Sequence, residues 1–267
     1  MKDAATETNP PDLVIVTGAG RGMGRAIASE MGRRGVAVLC ISRTESCLET
    51  AATIRAAGGT ADAIPLDLAD YVKVGEVVAD WIDGRAYKRI GAVLAAGTLG
   101  PSGPLWETPL EEWDAALRVN VLGNLAVARA SMPKMRENHF GRLLFFAGGG
   151  AAYANPTFPA YAIAKTALVR AVENLHEDLK DAGDFAVAIL APGAVDTEML
   201  AQVRAKGGEV RTTVPIEEPV AFTSAFLLAS DCGFSGCFVH VRDEWRPLLE
   251  PARKLPKKDL WKLRRVE

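Results

Sequence analysis

Seven short, almost uninterrupted apolar runs are spaced along the chain, and longer stretches of helical pattern separate them. The runs are LVIVT (Leu13–Thr17), VAVLCI (Val36–Ile41), DAIPL (Asp62–Leu66), AVLAA (Ala92–Ala96), RLLFFA (Arg142–Ala147), FAVAILA (Phe185–Ala191) and CFVHV (Cys237–Val241). A strand with one wet face alternates apolar and polar residues. Continuous apolarity instead marks strands covered on both faces. Helical stretches lie between them at Met23–Arg34, Glu45–Ala57, Val72–Asp83, Leu110–Arg136 and Ala160–Asp181. This rhythm predicts an α/β fold: a doubly wound, three-layer sandwich around a mainly parallel sheet. The polar segments Thr197–Glu218 and beyond Arg246 interrupt it. The first is read as either a substrate-covering flap or a surface loop.

Composition narrows the function. The 267 residues are 49% apolar and carry a net charge of −2, which supports a large core and argues against a general nucleic-acid binder. No apolar stretch is long enough for a membrane span. The first ten residues lack the apolar centre of a signal peptide. Cys40, Cys47, Cys232 and Cys237 form no CxxC pair and no zinc spacing, so no metal site is expected and a cytoplasmic location is. We read residues 1–245 as one nucleotide-binding and catalytic domain and 246–267 as a basic extension. That tail holds Arg253, Lys254, Lys257, Lys258, Lys262, Arg264 and Arg265 against Asp259 and Glu267. Its apolar anchors, Leu255, Leu260, Trp261 and Leu263, with Trp245 just before it, favour packing on its own or a neighbouring subunit.

TGAGRGMG (Thr17–Gly24) follows the first strand directly. Its spacing, Gly18-xxx-Gly22-x-Gly24, is not the common GxGxxG, but the physics is shared. Glycines allow a tight turn and close approach to a pyrophosphate, and the next helix aims its positive end there. Gly18, Gly20, Arg21, Gly22, Met23 and Gly24 are thus candidate cofactor contacts. After the second strand, where an acid would bind ribose hydroxyls, stand Ser42, Arg43 and Thr44. A carboxylate repels a 2′-phosphate, whereas arginine and hydroxyls bind it. With Arg21, this predicts NADP(H) over NAD(H).

YAIAK places Tyr161 and Lys165 four residues apart, on one helix face. A nearby ammonium stabilises a phenolate, which predicts a Tyr161 pKa below its usual value of about 10. Such a phenol exchanges a proton with a substrate oxygen near neutral pH.

TGAGRGMG, Asp67 in LDLAD, AAG at Ala95–Gly97, Asn120 in RVNVLG, YAIAK and PGAVDT (Pro192–Thr197) occur in the order found in the short-chain dehydrogenase/reductase family. From Leu13 to Val241 the chain resembles its single-domain branch. The resemblance implies a Rossmann-type sheet of seven strands and hydride transfer between NAD(P)(H) and a carbonyl or alcohol. It implies that Lys165 also holds the nicotinamide ribose, that Asn120 supports a water-linked proton relay, and that Asp67, with Leu68, meets the adenine. Ala96, Gly97, Pro192, Gly193, Val195 and Thr197 would complete the cofactor site. By the same analogy the long helices Leu110–Arg136 and Ala160–Asp181 pair subunits into a homodimer or homotetramer.

Two departures stand out. Family members carry a serine about thirteen residues before the tyrosine; here Gly148 stands there, with Ala147 one step earlier. Losing a donor of that kind typically costs about 100- to 1,000-fold in rate. Leu94 and Ala95 also replace the asparagines of an Asn-Asn-Ala-Gly turn. Ala147, Gly148, Gly149 and Tyr153 are therefore candidate substrate contacts. Backbone N–H groups of Gly148–Gly150, a water, Tyr153 or Thr157 are candidate replacement donors, and Phe158, Met199, Leu200 and Trp106 candidate apolar walls. Three readings stay open: a modified reductase or dehydrogenase, a retired nucleotide-binding partner subunit, and a non-redox enzyme such as a dehydratase or epimerase.

Overall fold

A computed structural model describes residues 10–210, 212–257 and 259–264. The apolar runs form β1 (Leu13–Thr17), β2 (Ala37–Ser42), β3 (Ala61–Pro65), β4 (Ile90–Leu94), β5 (Phe140–Phe146), β6 (Asp184–Ala191) and β9 (Phe238–His240). Together they make one parallel sheet in the order β3-β2-β1-β4-β5-β6-β9. A separate two-stranded parallel sheet pairs β7 (Ala194–Val195) with β8 (Thr213–Val214).

Successive strand side chains point to opposite faces, so each apolar strand feeds two cores. Val14 and Val16 pack with Ile27 and Met31 of α1 (Gly22–Arg33), Ile54 of α2 (Ser46–Ala56) and Phe222 and Phe226 of α8 (Glu217–Leu228). Leu13 and Ile15 face Val74 and Val78 of α3 (Tyr71–Asp83), Val127 of α5 (Asn124–Glu137) and Leu168 and Val172 of α6 (Pro159–Leu179). The chain order reverses between β1 and β4. In such sheets the crevice beyond the strand ends at that point is the ligand site.

The sequence reading is corrected in three places. The helix expected over Leu110–Arg136 is α4 (Leu110–Leu117), a π turn (Arg118–Gly123) and α5, because Asn124 binds the carbonyls of Val119 and Asn120 with its side-chain amide. A π turn widens a helix by one residue and often marks a functional position. The polar segment Thr197–Glu218 holds α7 (Glu198–Ala205) and β8, and α8 begins within it. Helix α8 is apolar nearly all round, so its sequence shows no amphipathic period.

The tail lies against α6 and the edge of β9. Phe238 N–H donates to the Trp261 carbonyl at 2.7 Å, and buried Glu173 accepts from Leu263 N–H at 2.8 Å and from Arg264 at 2.7 Å. Lys258, Arg265 and Glu267, part of the charge pattern read above, fall outside the described residues, as do residues 1–9.

Candidate active site

One open cleft of about 1800 Å³ runs along the carboxyl ends of the strands. At one end is the glycine turn. Gly18 and Gly22 have φ of +71° and +52°, the left-handed region that glycine adopts without strain. Space is the second constraint: a Cβ on Gly24 would lie 2.2 Å from the Gly18 carbonyl oxygen, and one on Gly18 3.1 Å from Ala96. The turn is a cradle that side chains would fill, which fits a phosphate-bearing group held by backbone N–H groups. Met23 lines it too, and Ser42, Arg43, Thr44, Asp67 and Leu68 line the adjoining wall.

Three side chains of this end of the cleft are already engaged. Arg21 is ion-paired with Glu198 at the start of α7. Ser42 is nearly buried, and its hydroxyl donates to the Thr44 carbonyl at 2.7 Å. Asp67 accepts from Ala69 N–H at 3.0 Å. The Arg21–Glu198 pair joins the glycine turn to α7, and Thr197 packs over Gly22, so this part of the polar segment roofs the cleft.

At the other end stand Tyr161 and Lys165, in the first turns of α6. Ala96, Gly97, Pro192, Gly193, Val195 and Thr197 lie between the two ends, and Phe158, Met199 and Leu200 line the wall. Trp106 does not: it is 83% exposed on the surface. Asn120 is fully buried one layer behind the cleft. It donates to the carbonyls of Thr98 (2.8 Å) and Ala116 (2.9 Å) and accepts from Thr98 N–H (3.2 Å). A Cβ on Gly97 would meet Asn120 Oδ1 at 2.7 Å and Lys165 Nζ at 3.6 Å. The glycine therefore lets the loop pass directly over both groups.

Between the two candidate positions for a third group, the fold chooses Gly148. A Cβ there would lie 2.9 Å from Tyr161 Oη, whereas Ala147 packs in the core. Gly149 opens onto empty space, and Tyr153 stands 80% exposed at the rim.

Burial rather than the charge pair sets the electrostatics. The expected lowering of the Tyr161 pKa is not found. Lys165 Nζ sits 5.4 Å from the tyrosine ring centroid. Desolvation pushes the phenol up to about 12 and the ammonium down to about 8. A lysine whose folded pKa falls below its unfolded value adds stability as pH rises from about 8 toward 10.5, where the unfolded chain alone holds the proton. Buried thiols act oppositely above about pH 9, since Cys40 and Cys237 are pushed up to about 12 and about 11. Unfolding wild-type protein and Lys165→Met in urea at several pH values isolates the lysine. The wild type should gain on the order of 3 kcal/mol relative to the variant between pH 8 and 10.5. A flat difference would show that Lys165 is solvated.

The sequence profile described as short chain dehydrogenase matches residues 12–208. The chain belongs to the short-chain dehydrogenase/reductase family, an oxidoreductase family whose fold binds a nicotinamide cofactor. It is 33% identical over 264 residues to 1-deoxy-11-beta-hydroxypentalenate dehydrogenase of Streptomyces exfoliatus, covering 92% of this chain and 93% of that one. It is 32% identical to the short-chain reductase protein NovJ of Streptomyces niveus, covering 92% and 98%. Among solved structures, a short chain dehydrogenase from Burkholderia cenocepacia in complex with NADP superposes with a TM-score of 0.72 at 25% identity, covering 85% of this chain and 94% of that one. No described helix is long and apolar enough to cross a membrane, and no described cluster of His, Cys, Asp and Glu could hold a metal ion.

Proposed function

We propose that this protein is an NADP(H)-dependent reductase or dehydrogenase of a small carbonyl or secondary alcohol, with Tyr161 as its acid/base and no serine beside it. The observation that carries this reading is the meeting of the Tyr161–Lys165 pair and the glycine cradle in one cleft. Gly18–Gly24, Asp67, Leu68, Ala96, Gly97 and the Pro192–Thr197 loop would hold the cofactor, and Gly148, Gly149 and Tyr153 would face the substrate. A nicotinamide held there would supply or take up the hydride. Tyr161, protonated at neutral pH because its pKa is about 12, gives its proton to the carbonyl oxygen as negative charge develops there. Lys165, still mainly an ammonium at pH 7 with a pKa of about 8, then stabilises the phenolate left behind. Buried Asn120 fixes the Thr98 loop beside Lys165, a placement suited to proton resupply.

Relatives named as dehydrogenases and reductases give no support to a retired or non-redox protein. The preference for NADP(H) rests on Arg43 and Arg21, with the Arg21–Glu198 pair opening to release the second. Titrating NADPH and NADH by fluorescence tests it. Arg43→Glu should weaken NADPH by about 10- to 100-fold, the worth of one charged hydrogen bond, and leave NADH within about twofold. Tighter NADH binding by the wild type would reject the preference. Turnover on a panel of ketones and aldehydes with both cofactors tests the reaction itself. We further assign a homodimer or homotetramer and, from four unpaired cysteines, a reducing cytoplasmic setting. One catalytic unit would run through residue 245, and the tail after it would dock on its own or a neighbouring subunit.

A further inference from the structure

No serine stands beside Tyr161, yet a carbonyl oxygen gaining charge there calls for a second donor. Three side-chain donors stand between the glycine run and α6: Tyr153, Asn155 and Thr157. Tyr153 is 80% exposed at the rim. Asn155 and Thr157 are half-buried and line the cleft. Asn155 is tied to the glycine run itself. A Cβ on Gly150 would lie 3.4 Å from Asn155 Cβ, and one on Gly148 2.9 Å from Tyr161 Oη. Two residues of chain span at most about 7 Å, so the asparagine and the phenol flank one short stretch of backbone. That stretch, Gly148 to Gly150, carries no side chain to intervene. The amide is also oriented. Phe158 N–H, at the start of α6, donates to Asn155 Oδ1 at 3.2 Å and to the Asn155 carbonyl at 3.3 Å. An N–H is met only by the amide oxygen, so Nδ2 is turned away from the helix end. Nδ2 has no hydrogen-bond partner among the described residues. An amide held by its oxygen offers its N–H groups without reorganising, the condition for stabilising charge as it develops.

We propose that the Asn155 side-chain amide is a catalytic residue: it donates to the substrate oxygen the hydrogen bond that a serine at residue 148 would otherwise give. The inference rests on the reductase reading above. In the reduction the carbonyl carbon gains the hydride as NADPH becomes NADP⁺. The C=O electron pair moves to oxygen, and Tyr161 protonates it. Asn155 keeps both its protons and stabilises the growing charge. The asparagine thus has two functions, capping α6 through Oδ1 and donating through Nδ2, and one substitution separates them. Asn155→Asp keeps an oxygen for Phe158 N–H but has no N–H to give, and its charge opposes an oxyanion. Asn155→Ala removes both.

The test compares full-length wild type, Asn155→Asp, Asn155→Ala and Thr157→Val in steady-state ketone reduction, with NADPH titration by fluorescence and thermal melts alongside. Both Asn155 variants should lower turnover by about 100- to 1,000-fold, the worth of one such donor, and leave NADPH binding within about twofold. Asn155→Asp should melt with the wild type, because the cap is kept, and Asn155→Ala should melt lower. Thr157→Val should turn over like the wild type. Wild-type turnover in Asn155→Asp would reduce the asparagine to a helix cap and overturns the proposal. So does a loss carried by Thr157→Val instead, or NADPH binding that falls as far as turnover. If Asn155→Ala fails to fold, Asn155→Asp decides. A wild type that works with NADH moves the same measurements to NADH. A wild type that reduces no carbonyl with either cofactor removes the reductase reading and this inference together, whereas an active wild type with an equally active Asn155→Asp removes this inference alone.

Discussion

Replacing Tyr161 with phenylalanine should lower turnover by about 10²- to 10⁴-fold, the range for loss of a positioned acid or base. The substitution removes a single oxygen atom. The ring still fills its place between Gly148 and the Lys165 side chain, so folding and cofactor binding should change little. The phenol, pushed up to about 12, holds its proton at neutral pH, which suits donation to a carbonyl. The reverse reaction needs the phenolate, which burial disfavours. Wild-type protein should therefore reduce ketones readily at pH 7, and alcohol oxidation should need higher pH. Steady-state rates in both directions, with NADPH affinity measured alongside, check this. Unchanged turnover in Tyr161→Phe would remove the tyrosine from the chemistry.

The second large effect concerns Gly148. Restoring serine there looks like a simple gain, since one such donor is worth about 100- to 1,000-fold. Geometry argues otherwise. A Cβ at residue 148 would lie 2.9 Å from Tyr161 Oη, closer than real Cβ contacts come, and 3.1 Å from the ring, tighter than most. The phenol occupies the space a side chain would need, and it must swing away to admit one. A misplacement approaching 1 Å at a reacting group costs up to about 100-fold. Gly148→Ala should thus cut turnover by about 10- to 100-fold, and Gly148→Ser should recover little of it. A serine variant faster than wild type would mean that the glycine is a loss rather than an adaptation. Ala147→Ser should do nothing for catalysis, because that residue faces the core.

The strands were legible because burial on both faces leaves an unmistakable mark: LVIV (Leu13–Val16) and FAVAILA have no polar residue to alternate with. The glycine turn was legible because both its φ values and its close contacts admit nothing larger. Asn124 was not. In sequence it is one polar residue in a helical stretch, and its value lies in partners 107 and 28 residues away, Thr17 and Ala96. Local patterns carry no record of such separations. The resemblance points to Asn120 as a site residue, but only the fold shows that its amide holds the Thr98 loop and Ala116.

By itself, then, the sequence determined the layered α/β architecture, the tight glycine turn and the Tyr161–Lys165 face, because each follows from short-range periodicity or from the size of a side chain. Tertiary structure alone decided that Gly148 rather than Ala147 faces the phenol, that Arg21 is tied to Glu198, and that burial outweighs the lysine in setting the tyrosine's pKa. Those three depend on distances and desolvation between segments far apart in the chain, which exist only once the sheet has brought the strand ends together.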